Sequence, residues 1–165
     1  MKDLIRSIPD FPKTGVMFKD IFPLLQNRFR DTIEALASQI ADPQAIDYVA
    51  GIESRGFILA SALAYALNKG FIPLRKKGKL PPPTLSLKID LEYGSDALEM
   101  KKGTGRLVLV DDVMATGGTL RGAISLAQLA GYKVREVLVL VHLQKLSSKI
   151  LEKEGISVKS LYTFD

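Results

Sequence analysis

At 165 residues and 47% hydrophobic content, the chain is long enough for one sizeable core and too short for two, so a single domain over residues 1–165 is expected. The absence of cysteine excludes disulfides, thiolate nucleophiles and cysteine-held metal and fits a reducing cytoplasm, while a single histidine, His142, argues against histidine-built metal sites. No signal-peptide core develops before Pro9 and Pro12 and no apolar run reaches membrane-spanning length, so no membrane partner is expected; the formal charge of +5 suits a polyanion, either nucleic acid or a phosphorylated metabolite.

The stretch from Ile8 to Pro23 holds three prolines and three phenylalanines and reads as an irregular cap, a hood over about residues 1–30. Asp31-Thr32-Ile33-Glu34 resembles a capped helix start, after which Ile33, Leu36, Ala37 and Ile40 recur on one face. Tyr48–Ile52 reads as a short buried strand, followed by the loop Glu53-Ser54-Arg55-Gly56 and an apolar helix from Phe57. Phe71–Leu74 returns as a strand and runs into the densest basic stretch, Arg75-Lys76-Lys77-Gly78-Lys79. Residues 77–105 show a period of two at Leu85, Leu87, Ile89, Leu91 and Tyr93, with turn chemistry at Gly94-Ser95, which predicts a hairpin acting as a lid. A strand over Arg106–Asp111, a helix from Thr119 to Ala130, a long strand over Val134–Leu143 and a weaker edge strand over Ile156–Tyr162 complete the chain.

Strands alternating with helices imply right-handed crossovers and an α/β fold, a mostly parallel twisted sheet flanked by helices. Ligands in such sheets collect at the carboxyl ends of strands. The loops 53–56, 75–79 and 111–119 all leave such ends and are expected to meet in one crevice.

The stretch Val108-Leu109-Val110-Asp111-Asp112-Val113-Met114-Ala115-Thr116-Gly117-Gly118-Thr119 holds the chemistry. It lacks the lysine of a P-loop, and Gly103 and Gly105 precede a strand where a dinucleotide fingerprint would follow one. Ala115, Thr116, Gly117, Gly118 and Thr119, between strand and helix, form a phosphate cradle: glycines admit close backbone approach, successive N–H groups make an anion nest, and the hydroxyls add donors. Two adjacent carboxylates, Asp111 and Asp112, repel by about 1 kcal/mol in water and ~3 kcal/mol in a partly dry crevice, so a group must donate to both. A ribose diol does this, and magnesium or its waters can neutralise the remainder. Acids for the sugar and a glycine turn for its phosphate describe a phosphoribosyl site.

The pattern closely resembles the 5-phosphoribosyl-1-pyrophosphate motif of the type I phosphoribosyltransferases. Phe11-Pro12-Lys13-Thr14-Gly15-Val16-Met17-Phe18-Lys19-Asp20-Ile21, Gly51-Ile52-Glu53-Ser54-Arg55-Gly56-Phe57, the basic stretch and Leu91-Glu92-Tyr93-Gly94 resemble, in order, the hood, pyrophosphate loop, basic loop and lid of the adenine-specific branch. The resemblance implies a transferase for adenine and 5-phosphoribosyl-1-pyrophosphate, Mg²⁺ bound through substrate and water with no direct protein ligand, a homodimer, and no nucleic-acid partner. It assigns the pyrophosphate to Arg55, Arg75, Lys76 and Lys79, adenine to Met17, Phe18 and Lys19, acid-base chemistry to Glu92 and lid closure to Tyr93. Lys19 stands where the family usually has arginine, and Glu53 where aspartate is frequent. Two other readings are a phosphoribosyltransferase for hypoxanthine, guanine or xanthine, and a non-catalytic regulator binding the same activated sugar.

Overall fold

The computed structural model describes residues 1–91, 94–147, 151 and 155–165, with backbone alone at 90, 91 and 94–96. Among the described residues, seven strands form one sheet. In chain order they are β3 (Tyr48–Ile52), β4 (Gly70–Lys76), β5 (Leu85–Leu91), β6 (Gly94–Met100), β7 (Gly105–Met114), β8 (Tyr132–Leu143) and β9 (Val158–Phe164). Their spatial order is β5-β6-β4-β3-β7-β8-β9. The neighbours β4, β3, β7, β8 and β9 run parallel, whereas β6 pairs antiparallel with both β4 and β5. Two short antiparallel strands near the amino terminus, β1 (Arg6–Ile8) and β2 (Phe18–Asp20), form a separate ribbon.

Alternation along β7 divides the core. Val108 and Val110 face helices α1 (Phe22–Ser38) and α2 (Arg55–Ala66), where they meet Ile33, Leu36, Leu59 and Leu63. Leu107 and Leu109 face helix α3 (Gly118–Leu129), where they meet Leu120, Ala123 and Ile124. Each fully buried aliphatic side chain contributes roughly 1.5–3 kcal/mol. A strand apolar on both faces therefore fixes the centre of the molecule, and the expected mostly parallel, helix-flanked sheet is what the chain forms.

Three elements differ from the sequence reading. The first helix starts at Phe22, with Pro23 in its first turn, and not at Asp31. Its backbone departs from helical geometry at Arg28 (φ −140°, ψ 36°), and the Thr32 hydroxyl donates to the Arg28 carbonyl at 2.8 Å. What resembles a cap at Asp31 is thus the first turn after a kink. The stretch read as an irregular cap also supplies core: Ile21 and Leu24 are fully buried. Second, β7 continues past both aspartates to Met114, because the ladder to β8 carries on, with Val113 opposite Val141 and Met114 opposite His142. Third, Gly94-Ser95, expected to form the turn, belongs to β6, paired with Leu91 and Asp90.

The hairpin is an extension of the sheet, rooted in the core through Ile89, Leu98 and Met100. Its seat is a notch in α3: a Cβ at Gly122 would lie 2.5 Å from Ile89 Cδ1. β9, expected at an edge, is there, paired to β8 alone among the described strands.

Candidate active site

Asp111 and Asp112 lie where β7 emerges from the core, only 8% and 6% exposed. Asp111 Oδ1 accepts the Asp112 N–H at 2.9 Å. The start of α2 presses against them at Gly56, where a Cβ would stand 2.8 Å from Asp111 Oδ1 and 3.1 Å from the Val110 carbonyl. Only glycine permits that approach, and the approach brings the neighbouring Arg55 to the acids. Arg55 Nε stands 2.8 Å from Asp112 Oδ2, close enough for charge but not aligned as a hydrogen bond, and this buried oxygen receives no hydrogen bond. Burial, and then the charge of Asp112, push the Asp111 carboxyl well above the usual range. Burial also raises Asp112, with Arg55 opposing. The pair thus keeps one buried oxygen, Asp112 Oδ2, without a hydrogen bond beside the Arg55 guanidinium.

A cavity of about 330 Å³ opens on this pair, walled by Ser54, Arg55, Lys76, Asp111, Asp112 and Thr119, with Ile89 and Leu98 from the hairpin closing one side. Thr119 arrives from the turn Ala115–Thr119, which wraps into α3 through Gly117 in the left-handed region (φ 90°). Gly117 is buried, and Ala115, Thr116, Gly118 and Thr119 are half-buried around it. The helix amino terminus therefore faces the end of the cavity next to the acids, where its unpaired N–H groups favour an anion. The loops expected to meet, 53–56, 75–79 and 111–119, each contribute to this wall.

The basic residues divide into two kinds. Arg55 and Lys76 line the cavity. Arg75 instead donates to both Glu53 carboxylate oxygens, at 3.1 and 3.3 Å, and to the Lys79 carbonyl at 3.1 Å. Lys79 is exposed beside it and is not among the wall residues. Glu53 also accepts the Lys76 N–H at 3.0 Å, and the Arg75 guanidinium holds its carboxyl below the ordinary range. Glu99, 3% exposed on β6, accepts the N–H groups of Lys79 and Leu80 at 2.7 and 2.6 Å, and these bonds, Leu80 foremost, keep it ionised. Two carboxylates thus set the shape of the basic loop. Sequence reasoning gave neither this role; the available signal was an acid between Leu98 and Met100, two apolar residues of one strand face.

The hood reaches the acids through the same arginine. The Arg55 guanidinium lies 4.5 Å from the Phe18 ring centroid and donates to the Lys19 carbonyl at 3.0 Å. Phe11 packs edge-on against Phe18 at 5.0 Å. Met17 is about half exposed. The structure therefore brings Phe18, Lys19, Arg55, Asp112 and Thr119 around one crevice, with Arg75 and Lys79 bracing its rim. Glu92 and Tyr93 lie outside the described residues.

The family model described as a phosphoribosyl transferase domain matches residues 24–161. An adenine phosphoribosyltransferase of Bdellovibrio bacteriovorus is 51% identical over 160 residues, covering 95% of this chain and 96% of that protein. The crystal structure of an adenine phosphoribosyltransferase from Thermoanaerobacter pseudethanolicus superposes with a TM-score of 0.90 at 42% identity, covering 99% of this chain and 97% of that one. The enzyme of that name from Saccharomyces cerevisiae, solved with an imino-altritol bisphosphate and adenine, superposes with a TM-score of 0.89 at 34% identity, covering 98% and 96%. The chain belongs to the phosphoribosyl transferase family, and within it to the adenine phosphoribosyltransferases.

Proposed function

We propose that this chain transfers the 5-phosphoribosyl group from 5-phosphoribosyl-1-pyrophosphate to adenine, giving AMP and pyrophosphate. The observation that carries the reading is the buried acceptor Asp112 Oδ2, without a hydrogen bond, on a residue that walls a cavity one strand-to-helix turn from the start of α3. A vicinal diol supplies two donors to such a pair, and the phosphate on the same sugar then falls to Ala115–Thr119. The yeast relative was solved with adenine, and the corresponding base here would lie by Phe18, read by backbone groups of Met17 and Lys19.

In the reaction a purine nitrogen bonds to C1′ as the bond from C1′ to the pyrophosphate oxygen breaks, through a sugar with oxocarbenium character. Arg55 and Lys76, on the cavity wall, stabilise the departing polyanion, while Arg75 and Lys79 hold the loop that presents Lys76. Glu92 exchanges a proton with the base at N7, and Tyr93 helps exclude water that would hydrolyse the activated sugar. The acid pair, with Asp112 Oδ2 lacking a hydrogen bond, suits Mg²⁺ held through substrate oxygens and water, which would supply positive charge to the leaving group.

We place the protein in the cytoplasm on its cysteine-free composition, and among the described residues no helix is long and apolar enough to cross a membrane. The homodimer implied by the family has a fitting surface: Phe22, Phe29, Ile58 and Tyr65 expose apolar area along α1 and α2, and Ile58 lies one helical turn from Arg55. A second copy seated there would border the site.

The test is product identity when adenine, hypoxanthine, guanine and xanthine compete for the activated sugar with Mg²⁺. AMP is the expected product. An oxopurine nucleotide would favour the 6-oxopurine reading, and binding of the sugar without turnover would favour a regulator.

A further inference from the structure

Lys19 points two ways. Its carbonyl faces the site, where it receives the Arg55 hydrogen bond. Its side chain runs through the hood to the far edge of the sheet. There Nζ donates to Ser7 Oγ at 2.7 Å and lies 4.1 Å from the centroid of the Phe164 ring. The residue is buried, and burial, together with the charge of Lys2, lowers its proton affinity. Lys2 stands over the same ring at 4.6 Å. A lysine this poorly solvated stays charged only if its partners compensate, and an aromatic face with a hydroxyl are the partners present.

Phe164 is itself well fixed. It pairs with Leu143 in the parallel ladder of β8 and β9, and its carbonyl accepts the Gln144 N–H at 2.8 Å. Ser7 is fixed opposite Lys19 in the ribbon register. The ribbon is joined to the site by Arg55, which contacts Phe18, Lys19 and Asp112. The ribbon is rooted in the core by Ile5 and Ile21, and the Lys19 side chain adds a contact from β2 to the last strand, so this contact adjusts the seat of β2.

We propose that Phe164 and Lys19 are positioning residues for the base: the last strand of the chain, through the Lys19 side chain, sets the height at which the hood backbone meets adenine. The inference rests on the assignment of adenine to the hood. It adds that the carboxyl-terminal residues, remote from the acid pair, govern base affinity without touching the base. Lysine at this position is part of the device, because its ammonium can bond Ser7 and face the ring at once.

The test uses the full-length protein with Lys19→Met, Phe164→Leu and the double variant, with Lys19→Arg and Phe164→Tyr as conservative partners. Lys19→Met and Phe164→Leu are expected each to raise KM for adenine about fivefold, leaving kcat and the KM for the sugar pyrophosphate within about twofold. The double variant is expected to resemble Lys19→Met, since that change already removes the contact with Phe164 along with the bond to Ser7. Phe164→Tyr, which keeps the ring, is expected to behave as wild type, and Lys19→Arg to recover most of the loss. Additive effects, equal rises in both KM values, or an unchanged adenine KM in Phe164→Leu would overturn the inference. A wild type that makes no AMP would overturn the functional reading instead. Amide hydrogen exchange over residues 16–20 then decides the structural coupling alone: faster exchange there in Phe164→Leu sustains it, and unchanged exchange removes it.

Discussion

The acid pair and the basic loop face one cavity, yet they are held in opposite ways. Asp111 and Asp112 continue a strand laddered on both sides up to Val110 and to β8 beyond it, with helices packed on both faces, so their placement is fixed by the sheet beneath them. The basic loop owes its shape to a few polar contacts, Glu53 to Arg75 and Glu99 to the N–H groups of Lys79 and Leu80. The acid pair is thus held rigidly before any ligand arrives. The basic loop depends on the Glu53–Arg75 ion pair and on N–H bonds to the buried Glu99, contacts few enough to rearrange more easily.

Removing the rigid half should do most damage. Asp111→Asn with Asp112→Asn is expected to lower kcat/KM by about 10³-fold, since hydrogen bonds to charged groups contribute roughly 1.5–3 kcal/mol each. Steady-state kinetics check this, and a loss below tenfold would mean that the sugar binds elsewhere. Next in size is Arg55→Ala, the residue shared by the hood and the acids. It should raise KM for both substrates, by about 10- to 100-fold for the sugar pyrophosphate. An effect on one substrate alone would separate the two halves that this arginine joins.

Loosening the rim should cost less. Glu99→Gln keeps an acceptor for the Lys79 and Leu80 N–H groups but removes the charge, and is expected to raise KM for the sugar pyrophosphate about three- to tenfold with adenine KM unchanged. Equal changes in both would show that the loop is no independent unit. The smallest effect is on stability. The Asp111 carboxyl has a raised folded-state pKa, so its favourable contribution is complete below the ordinary carboxylate value near 3.8 and is lost as pH rises through the folded value. Asp111→Asn should therefore raise the melting temperature of the unliganded protein at pH 7–8, with the gain shrinking toward pH 4. Thermal melts across that range provide the check, and a destabilised variant at neutral pH would mean that the carboxylate is already neutralised in the free protein.

Much of this was legible in residues with a strong local cause. The alternation of apolar strands and helices, the glycine turn after β7 and the acid pair each reflect nearby chemistry, so the fold and the convergence of the loops followed from them. What stayed hidden depends on partners distant in sequence. Phe22–Arg28 looks irregular because Pro23 and the kink at Arg28 interrupt its period, yet Ile21 and Leu24 are core. Arg75 looks like a free cation until the fold sets Glu53 beside it, 22 residues away in sequence. The acids look terminal because charge seldom continues a buried strand, but the β8 ladder carries β7 on to Met114. Glu92 and Tyr93 rest on the family resemblance, outside the described residues.

The notch at Gly122 gives the molecule a fulcrum. Ile89, seated in it, is also a wall of the cavity, so the helix behind the hairpin sets how far that wall stands from the acids. One methyl group at position 122, on a residue that touches no reactant, would lever the wall inward or tip it aside. Pocket width in this protein can thus be adjusted from behind, without altering any group that takes part in the chemistry.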